Sequence, residues 1–214
     1  MARLKAVIYD LDGTLIDSRA DLADSVNAML RRMGLPERED GAVWGFIGEG
    51  AERLIRRSLG PVHESRYAEA APIWREEYAK RLLAKTRLYH GIPDLLRLPP
   101  DKRAVLTNKP GGFARGILEG LGVAESFQAV IGGDEGERKP APGGLLALCS
   151  RLGVQPAEAL LVGDSAVDVA TGRAAGVPVC AVEWGLGEGA ALASADYLSA
   201  TPGELGTLLE RLCT

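Results

Sequence analysis

The stretch "KAVIYDLDGTLIDS" at residues 5–18 decides the fold of this chain. Its apolar run, Ala6–Tyr9, leads into two aspartates, Asp10 and Asp12, and a glycine and a threonine follow at once. This pattern predicts a buried strand whose carboxyl end carries two neighbouring carboxylates. Burying two adjacent negative charges is unfavourable unless another group compensates them. The rest of the chain must therefore supply that compensation, or the pair is only a polar turn.

The composition is that of an ordinary soluble globular protein, with 46% hydrophobic and 25% charged residues. A chain of 214 residues is long enough for one core with a large insertion. The net charge of −4 gives no reason to expect nucleic acid as a partner. Three widely spaced cysteines without a CxxC motif favour reduced thiols in the cytoplasm over disulfides or a zinc site. The first apolar stretch is shorter than a signal peptide requires, and no apolar run approaches about 20 residues, so neither secretion nor membrane association is expected.

Short apolar runs alternate with helical patterns along most of the chain. The predicted strands are 6–11, 104–108, 129–133, 159–164, 178–184 and 195–198. Helical patterns cover 111–122, 143–153 and 165–176, and each of them ends at a glycine. Continuous apolar strands that alternate with helices predict an α/β fold with a doubly wound parallel sheet. Ligands of such sheets bind beyond the carboxyl ends of the strands.

One long segment, residues 17–86, contains helical patterns and no convincing strand. Within it, the apolar residues Leu22, Val26, Met29, Leu30 and Met33 recur at helical spacing. We therefore predict a helical cap domain at 17–86, inserted into an α/β core formed by 1–16 and 87–214. The chain is expected to return to the sheet near Leu88.

Polar and charged side chains follow the carboxyl ends of four predicted strands. They are, in chain order, Asp10 and Asp12, then Thr107 and Asn108, then Lys139, and finally Asp164 and Asp168. Four converging carboxylates require a cation, and oxygen ligands suit Mg²⁺, which takes its remaining ligands from water and substrate phosphate. We expect Mg²⁺ and Lys139 together to neutralise the Asp10–Asp12 pair.

These residue types favour transfer of a phosphoryl group to water. An aspartate can act as the nucleophile and form an aspartyl-phosphate, while a second carboxylate two residues along donates and then accepts a proton. A metal ion and a lysine stabilise the charge on the phosphoryl oxygens, and a threonine hydroxyl can hold the group. The predicted activity is Mg²⁺-dependent hydrolysis of a small phosphorylated metabolite.

The segments "DLDGTL", "LTNK", "KPAP" and "GDSAVD", in this order, resemble the four motifs of the haloacid dehalogenase superfamily. The resemblance implies that Asp10 is the nucleophile and Asp12 the general acid and base. It also implies that Thr107 binds the phosphoryl group, and that Lys139 screens both this group and the nucleophile. The implied Mg²⁺ ligands are Asp10, the Asp12 backbone carbonyl, Asp164 and Asp168. Dehalogenases of the superfamily lack the second aspartate, so Asp12 favours phosphate chemistry.

Within the superfamily, the chain looks most like the phosphoglycolate phosphatases. The similar segments are "DLADSVNAMLRRMGLP", "GFIGEGAERLIRRSLG", "LTNKP" and "VIGGDEGERKPAPGGLL". The implied substrate is 2-phosphoglycolate, with Asn108 among the substrate-binding residues. The cap loop that typically has the sequence GNG in this family has Glu49 at its centre here, and an acidic residue facing an anionic substrate would be unfavourable. Arg53 is expected to bind the carboxylate of the substrate.

Structural roles compete with these functional ones at several positions. The Asp10–Asp12 pair could form a polar turn, and Thr107 could cap a helix. Residues 165–168 fit a capping box, which can coexist with a metal-binding role for Asp168. Lys109 is interpreted mostly as a solvated surface lysine.

Other functions compete with phosphoglycolate hydrolysis as well. On the same scaffold they are a phosphatase or pyrophosphatase for another metabolite and a sugar-phosphate mutase. A receiver domain that stores the phosphoryl group for signalling is disfavoured, because such domains are shorter, lack a cap and carry the phosphorylated aspartate on a middle strand. The expected assembly is a monomer or a homodimer.

Overall fold

The computed structural model describes residues 3–187 and 192–214. Strands in this part of the chain are β1 (Ala6–Tyr9), β2 (Ile16–Asp17), β3 (Arg87–Leu88), β4 (Lys102–Leu106), β5 (Ala129–Ile131), β6 (Ala159–Gly163), β7 (Val179–Val182) and β8 (Tyr197–Ser199). Six of them form one sheet in the order β5-β4-β1-β6-β7-β8, and every neighbouring pair is parallel. The predicted α/β fold with a parallel sheet is therefore confirmed. A strand is present at each of the six predicted places; four are shorter than predicted, and β4 and β8 are shifted by one to two residues.

Helices follow most of the strands. They are α1 (Arg19–Arg32), α2 (Asp40–Trp44), α3 (Ala51–His63), α4 (Tyr67–Ala79), α5 (Ile92–Leu95), α6 (Gly111–Gly120), α7 (Gly143–Leu152), α8 (Ala166–Ala175) and α9 (Pro202–Cys213). The predicted stops at Gly153 and Gly176 are confirmed, because both glycines adopt the left-handed conformation directly after α7 and α8. Across the described residues, no helix combines the length and the apolar character that crossing a membrane demands.

The central strand β1 is covered by helices on both of its faces. Val7 and Tyr9 belong to a buried cluster that includes residues of α5, α6 and α9. Ala6 and Ile8 face the opposite side, in a cluster with residues of α7 and α8. A strand buried on both faces has no solvent-facing positions, which explains why its sequence is continuously apolar.

The inserted segment forms a helical cap with a separate core. Helices α1 to α4 contribute to a third buried cluster, and all five apolar residues predicted to share a face of α1 and its C-terminal cap belong to it. The same cluster includes Leu54 and Ile55 from α3 and Trp74 and Tyr78 from α4. Its partly buried members include Phe113 of α6, so the cap also packs against the core.

The two ends of the insertion meet in a small ribbon. Ile16 pairs with Leu88 and Asp17 with Arg87, and the two strands run antiparallel. The expected return to the main sheet near Leu88 is thus wrong, because β3 pairs with β2 and the next strand of the main sheet is β4. The division into core and cap at 16/17 and 86/87 remains a prediction. The first boundary falls within β2 and the second directly before β3.

Candidate active site

The loops after β1, β4 and β6 meet because these three strands are adjacent, with β1 in the middle. After β1 the chain forms β4 and β5 on one side of it and then crosses to β6 on the other side. A parallel sheet binds its ligands at such a change of direction, beyond the carboxyl ends of the strands. Seven of the eight predicted site residues lie at this edge of the sheet, Lys139 being supplied by the segment after β5. Each has at most 9% of its surface exposed: Asp10, Asp12, Thr107, Asn108, Lys139, Asp164 and Asp168. Arg53 is the exception.

Lys139 holds two of the predicted carboxylates. Its Nζ lies 2.8 Å from Asp10 Oδ1 and donates a hydrogen bond of 2.6 Å to Asp168 Oδ1. Burial alone would lower the pKa of this ammonium, but the charges of Asp10 and Asp168 outweigh burial and raise it above its ordinary value. Lys139 therefore stays charged and fixes Asp10 at the end of β1, where the Leu11 backbone N–H also donates to Asp10 Oδ1.

A different lysine, Lys109, compensates Asp12. Its Nζ lies 3.0 Å from Asp12 Oδ1, and the Ser18 hydroxyl donates to the same oxygen. Lys109 is only 6% exposed, so its interpretation as a surface lysine is wrong. The expectation that Lys139 is the lysine for both aspartates is corrected as well, since Lys139 contacts Asp10 whereas Lys109 contacts Asp12. The position of Lys109 in the sequence could have indicated a role in the site, because Lys109 directly follows Thr107 and Asn108 beyond the end of β4.

Asp10, Asp164 and Asp168 form a compact acidic cluster. One carboxylate oxygen from each lies within 4.8 Å of the others. Burial, with smaller contributions from Asp168 and Asp164, outweighs the lowering effect of Lys139 and raises the pKa of Asp10 to about 8. Burial and Asp168 raise the pKa of Asp164 to about 6. Further positive charge is needed to keep the cluster ionised, and its oxygen donors fit a hard divalent cation such as Mg²⁺.

Hydrogen bonds orient Asp164 at the end of β6. Its Oδ1 accepts from the Thr14 hydroxyl at 3.1 Å, and its Oδ2 accepts from the Leu186 backbone N–H at 2.7 Å. Gly13, with a φ of +87°, packs directly against this carboxylate, and a Cβ there would collide with it. The glycine of the opening motif thus supplies both a left-handed turn and space for Asp164.

Asp168 has two structural partners. Its Oδ2 accepts from the Ser165 backbone N–H at 3.1 Å and from the Ser165 hydroxyl at 2.6 Å, which completes the capping box of α8. Its Oδ1 accepts from Lys139. The predicted capping box is confirmed, and it holds Asp168 beside the acidic cluster.

Thr107 and Asn108 lie where the core meets the cap. Thr107 Oγ1 accepts from the Lys109 backbone N–H at 3.2 Å. Asn108 Nδ2 lies 3.1 Å from each of two acceptors, the backbone carbonyls of Gly48 in the cap and Lys139 in the core. Among the described residues, the buried Asn108 Oδ1 has no hydrogen-bond partner. Asn108 therefore links the cap loop to the core.

A cleft that is partly open to solvent lies between the cap and these strand ends. Its core wall consists of Asp10, Asp12, Thr107, Asn108, Lys109 and Pro110. Its cap wall is almost entirely apolar or glycine and consists of Leu22, Ile47, Gly48, Gly50, Ala51, Leu54 and Trp74. The cleft therefore has a polar wall that comes from the core and an apolar wall that comes from the cap.

The cap residues Glu49 and Arg53 do not line this cleft. The Glu49 carboxylate pairs with both Arg53 and Arg57, so its charge is compensated within the cap. The Arg53 side chain is 62% exposed. The concern that Glu49 faces an anionic substrate is thus not supported by the geometry, and the structure does not bring Arg53 to the other predicted site residues.

The chain is similar in sequence to known hydrolases and phosphatases. The profile of the haloacid dehalogenase-like hydrolases matches residues 7–182. The chain is 38% identical to a phosphoglycolate phosphatase of Chromobacterium violaceum over 90% of both chains. It is also 35% identical to an N-acetylmuramic acid 6-phosphate phosphatase of Pseudomonas aeruginosa, over 99% of this chain and 97% of that one.

A solved structure has the same architecture. The crystal structure of a predicted phosphoglycolate phosphatase from Haemophilus somnus superimposes with a TM-score of 0.88 at 28% identity. The match covers 97% of this chain and 99% of that one, so it includes the inserted helices as well as the sheet.

Proposed function

The chain belongs to the haloacid dehalogenase-like hydrolase family, and we propose that it is a Mg²⁺-dependent phosphatase that hydrolyses 2-phosphoglycolate to glycolate and phosphate. One observation carries the proposal. Two aspartates that end β1 are each paired with a buried lysine, and both face a cleft beside an acidic cluster. This arrangement provides a nucleophile and a separate proton donor that both line the cleft in which a phosphate ester would bind.

The proposed reaction has two displacements at phosphorus. Asp10 attacks the phosphorus atom, so that an Asp10–phosphorus bond forms while the bond from phosphorus to the ester oxygen breaks. Asp12 gives its proton to the departing oxygen and then takes one from the water that attacks the phosphoaspartate. Lys139 orients Asp10, and Thr107 binds the phosphoryl oxygens through its hydroxyl.

Asp10, Asp164 and Asp168 are the side chains that would hold Mg²⁺, and the Asp12 backbone carbonyl would be a further ligand. When bound, the ion supplies positive charge that stabilises the phosphoryl oxygens in the transition state. Burial, together with the neighbouring carboxylates, raises the pKa values of Asp10 and Asp164, and a bound cation would favour their ionised forms, which supports this assignment.

The proposed substrate rests on the names of similar proteins and on the character of the cleft. The relative from Chromobacterium violaceum is a phosphoglycolate phosphatase, whereas the one from Pseudomonas aeruginosa acts on a larger sugar phosphate. An apolar cap wall offers few partners for sugar hydroxyls and suits a small substrate. A cytoplasmic location and a monomeric or homodimeric state remain predictions, as does closure of the cap over bound substrate.

The deciding experiment is phosphate release from a panel of phosphate esters. The panel contains 2-phosphoglycolate, N-acetylmuramic acid 6-phosphate, other sugar phosphates, nucleotides and pyrophosphate, each with Mg²⁺ and with EDTA. We expect Mg²⁺-dependent turnover with kcat/KM at least about 10-fold higher for 2-phosphoglycolate than for the others, or about 1.4 kcal/mol of discrimination. A higher kcat/KM for another ester would identify that ester as the substrate and leave the catalytic scheme unchanged. A requirement for a bisphosphate activator would indicate a mutase.

A further inference from the structure

The buried Lys109 has a donor that its protein partners do not use. Its ammonium group carries three N–H donors. One is directed to Asp12 Oδ1 at 3.0 Å and one to the Tyr78 hydroxyl oxygen at 2.8 Å. Lys109 also lines the cleft. The third N–H is therefore available to a ligand that enters between the cap and the core.

The charge of Lys109 persists despite its burial. Burial lowers the pKa of the ammonium, but the Asp12 carboxylate and the Tyr78 hydroxyl raise it by more, so the net shift is upward. The ammonium also lies 4.7 Å from the centroid of the Tyr78 ring, a cation–π contact. Of the described residues that line the cleft, Lys109 alone is cationic.

Trp74, which also lines the cleft, has a second donor that the described part of the chain leaves without a partner. It is only 3% exposed, and its indole N–H has no hydrogen-bond partner among the described residues. Its ring stacks on that of Tyr78, with centroids 5.1 Å apart, and Tyr78 in turn contacts Lys109. A buried donor without a partner costs free energy, and a ligand acceptor in the cleft would remove that cost.

The shape of the proposed substrate directs its carboxylate to this place. In 2-phosphoglycolate the carboxylate carbon is only two bonds from the ester oxygen that Asp12 protonates. A group that recognises this carboxylate must therefore lie beside Asp12, as Lys109 does. Arg53, by contrast, is exposed, pairs with Glu49 and does not line the cleft.

We infer that Lys109, together with the indole N–H of Trp74, binds the carboxylate of the substrate and determines specificity for a phosphate ester with a short acidic tail. The inference rests on the proposed function. Lys109 comes from the core and Trp74 from the cap, so binding of the carboxylate connects the two parts of the chain around the substrate.

The test compares two substrates that differ only at the tail. These are 2-phosphoglycolate and 2-hydroxyethyl phosphate, in which a neutral hydroxymethyl group replaces the carboxylate. The measured quantity is the ratio of their kcat/KM values. Lys109→Met should lower this ratio by about 10-fold or more, because it removes a charged hydrogen bond to the carboxylate. Trp74→Phe, which keeps a ring but loses the N–H, should lower it roughly 3-fold or more.

Two control variants should keep the wild-type ratio. Lys80→Met makes the same substitution at an exposed cap lysine that pairs with Glu76 and Glu77. Arg53→Ala removes the alternative candidate for the carboxylate. A ratio that falls in Arg53→Ala and persists in Lys109→Met would overturn the inference.

Other outcomes separate specificity from positioning. If Lys109→Met slows both substrates equally, Lys109 serves only Asp12 and the inference is wrong. If a thermal unfolding assay shows that Lys109→Met does not fold, Trp74→Phe becomes the deciding variant. An unchanged ratio of kcat/KM values in Trp74→Phe would then overturn the two-donor site. A wild-type ratio near one would refute the proposed substrate itself, whereas a high ratio that survives both substitutions would refute this inference alone.

Discussion

Two lysines from different loops neutralise the two aspartates of the opening motif, one lysine for each aspartate. Lys139 contacts Asp10 and Lys109 contacts Asp12, and both lysines are almost fully buried. Separate partners allow the two aspartates to differ in role although they are two residues apart. Asp10 lies in the acidic cluster with Asp164 and Asp168, while Asp12 accepts from Ser18 and faces the cap.

Asp12→Asn should separate the two chemical steps. The amide cannot take a proton from the attacking water, so hydrolysis of the phosphoaspartate should slow more than its formation. We expect a stoichiometric phosphoenzyme after brief mixing with substrate, detectable as a mass increase of the intact protein. Asp10→Asn is the matched control and should neither turn over nor gain mass. Ordinary turnover in Asp10→Asn, or no phosphoenzyme in Asp12→Asn, would contradict the assigned roles.

At the level of elements, one buried carboxylate ties together the two ends of the inserted cap. Asp21, near the start of α1, is fully buried and accepts hydrogen bonds from the backbone N–H groups of Lys85 and Thr86. The Thr86 hydroxyl donates to the same carboxylate at 2.8 Å. These residues directly precede β3, so Asp21 fixes the point where the chain leaves the cap.

Asp21→Ala should destabilise the protein markedly. It leaves buried donors without an acceptor, at a cost of about 1–3 kcal/mol for each group that water cannot reach. Chemical denaturation should show a lower free energy of unfolding by at least that amount. Asp24→Ala is the control, because the Asp24 side chain is 39% exposed and pairs with the Lys85 ammonium at the surface, so its loss should cost less than about 1 kcal/mol. Equal effects of the two substitutions would refute this role for Asp21.

For the whole molecule, the acidic cluster should make stability depend on pH and on Mg²⁺ together. The folded-state pKa values of Asp10 and Asp164, about 8 and about 6, exceed the ordinary value. Between an unfolded pKa of about 4 and these values, the folded protein without metal binds more protons than the unfolded chain, so its stability falls as pH rises. Binding of Mg²⁺ requires the deprotonated carboxylates and is favoured at higher pH.

Thermal unfolding at pH 5 and pH 8, in EDTA and in Mg²⁺, measures this dependence. The increase in Tm caused by Mg²⁺ should be larger at pH 8, where protons compete less for the cluster. Asp164→Asn should reduce the increase at both pH values because it removes a ligand. An increase of the same size at both pH values, or one that persists in Asp164→Asn, would contradict the assigned metal site.

Local sequence was sufficient to predict the strands and the residues that follow them. Asp10, Thr107 and Asp164 follow apolar runs directly, and adjacency of parallel strands then brings them together. The helix α9 was not predicted, although Leu205, Leu208 and Leu209 recur at helical spacing behind the capping residue Thr201. The ribbon of β2 and β3 could not be predicted, because strands of two residues are too short to show a periodic pattern of apolar residues.

The sequence by itself determined the α/β fold, the inserted helical segment and the set of carboxylates at the strand ends. These features follow from apolar patterning and from side chains whose positions depend on the strand that precedes them. Only the tertiary structure decided the environment of Lys109 and the direction of Glu49 and Arg53. A long side chain lies in a core or in solvent according to what packs over it, and Lys109 is covered by Tyr78, which is 31 residues away on a cap helix.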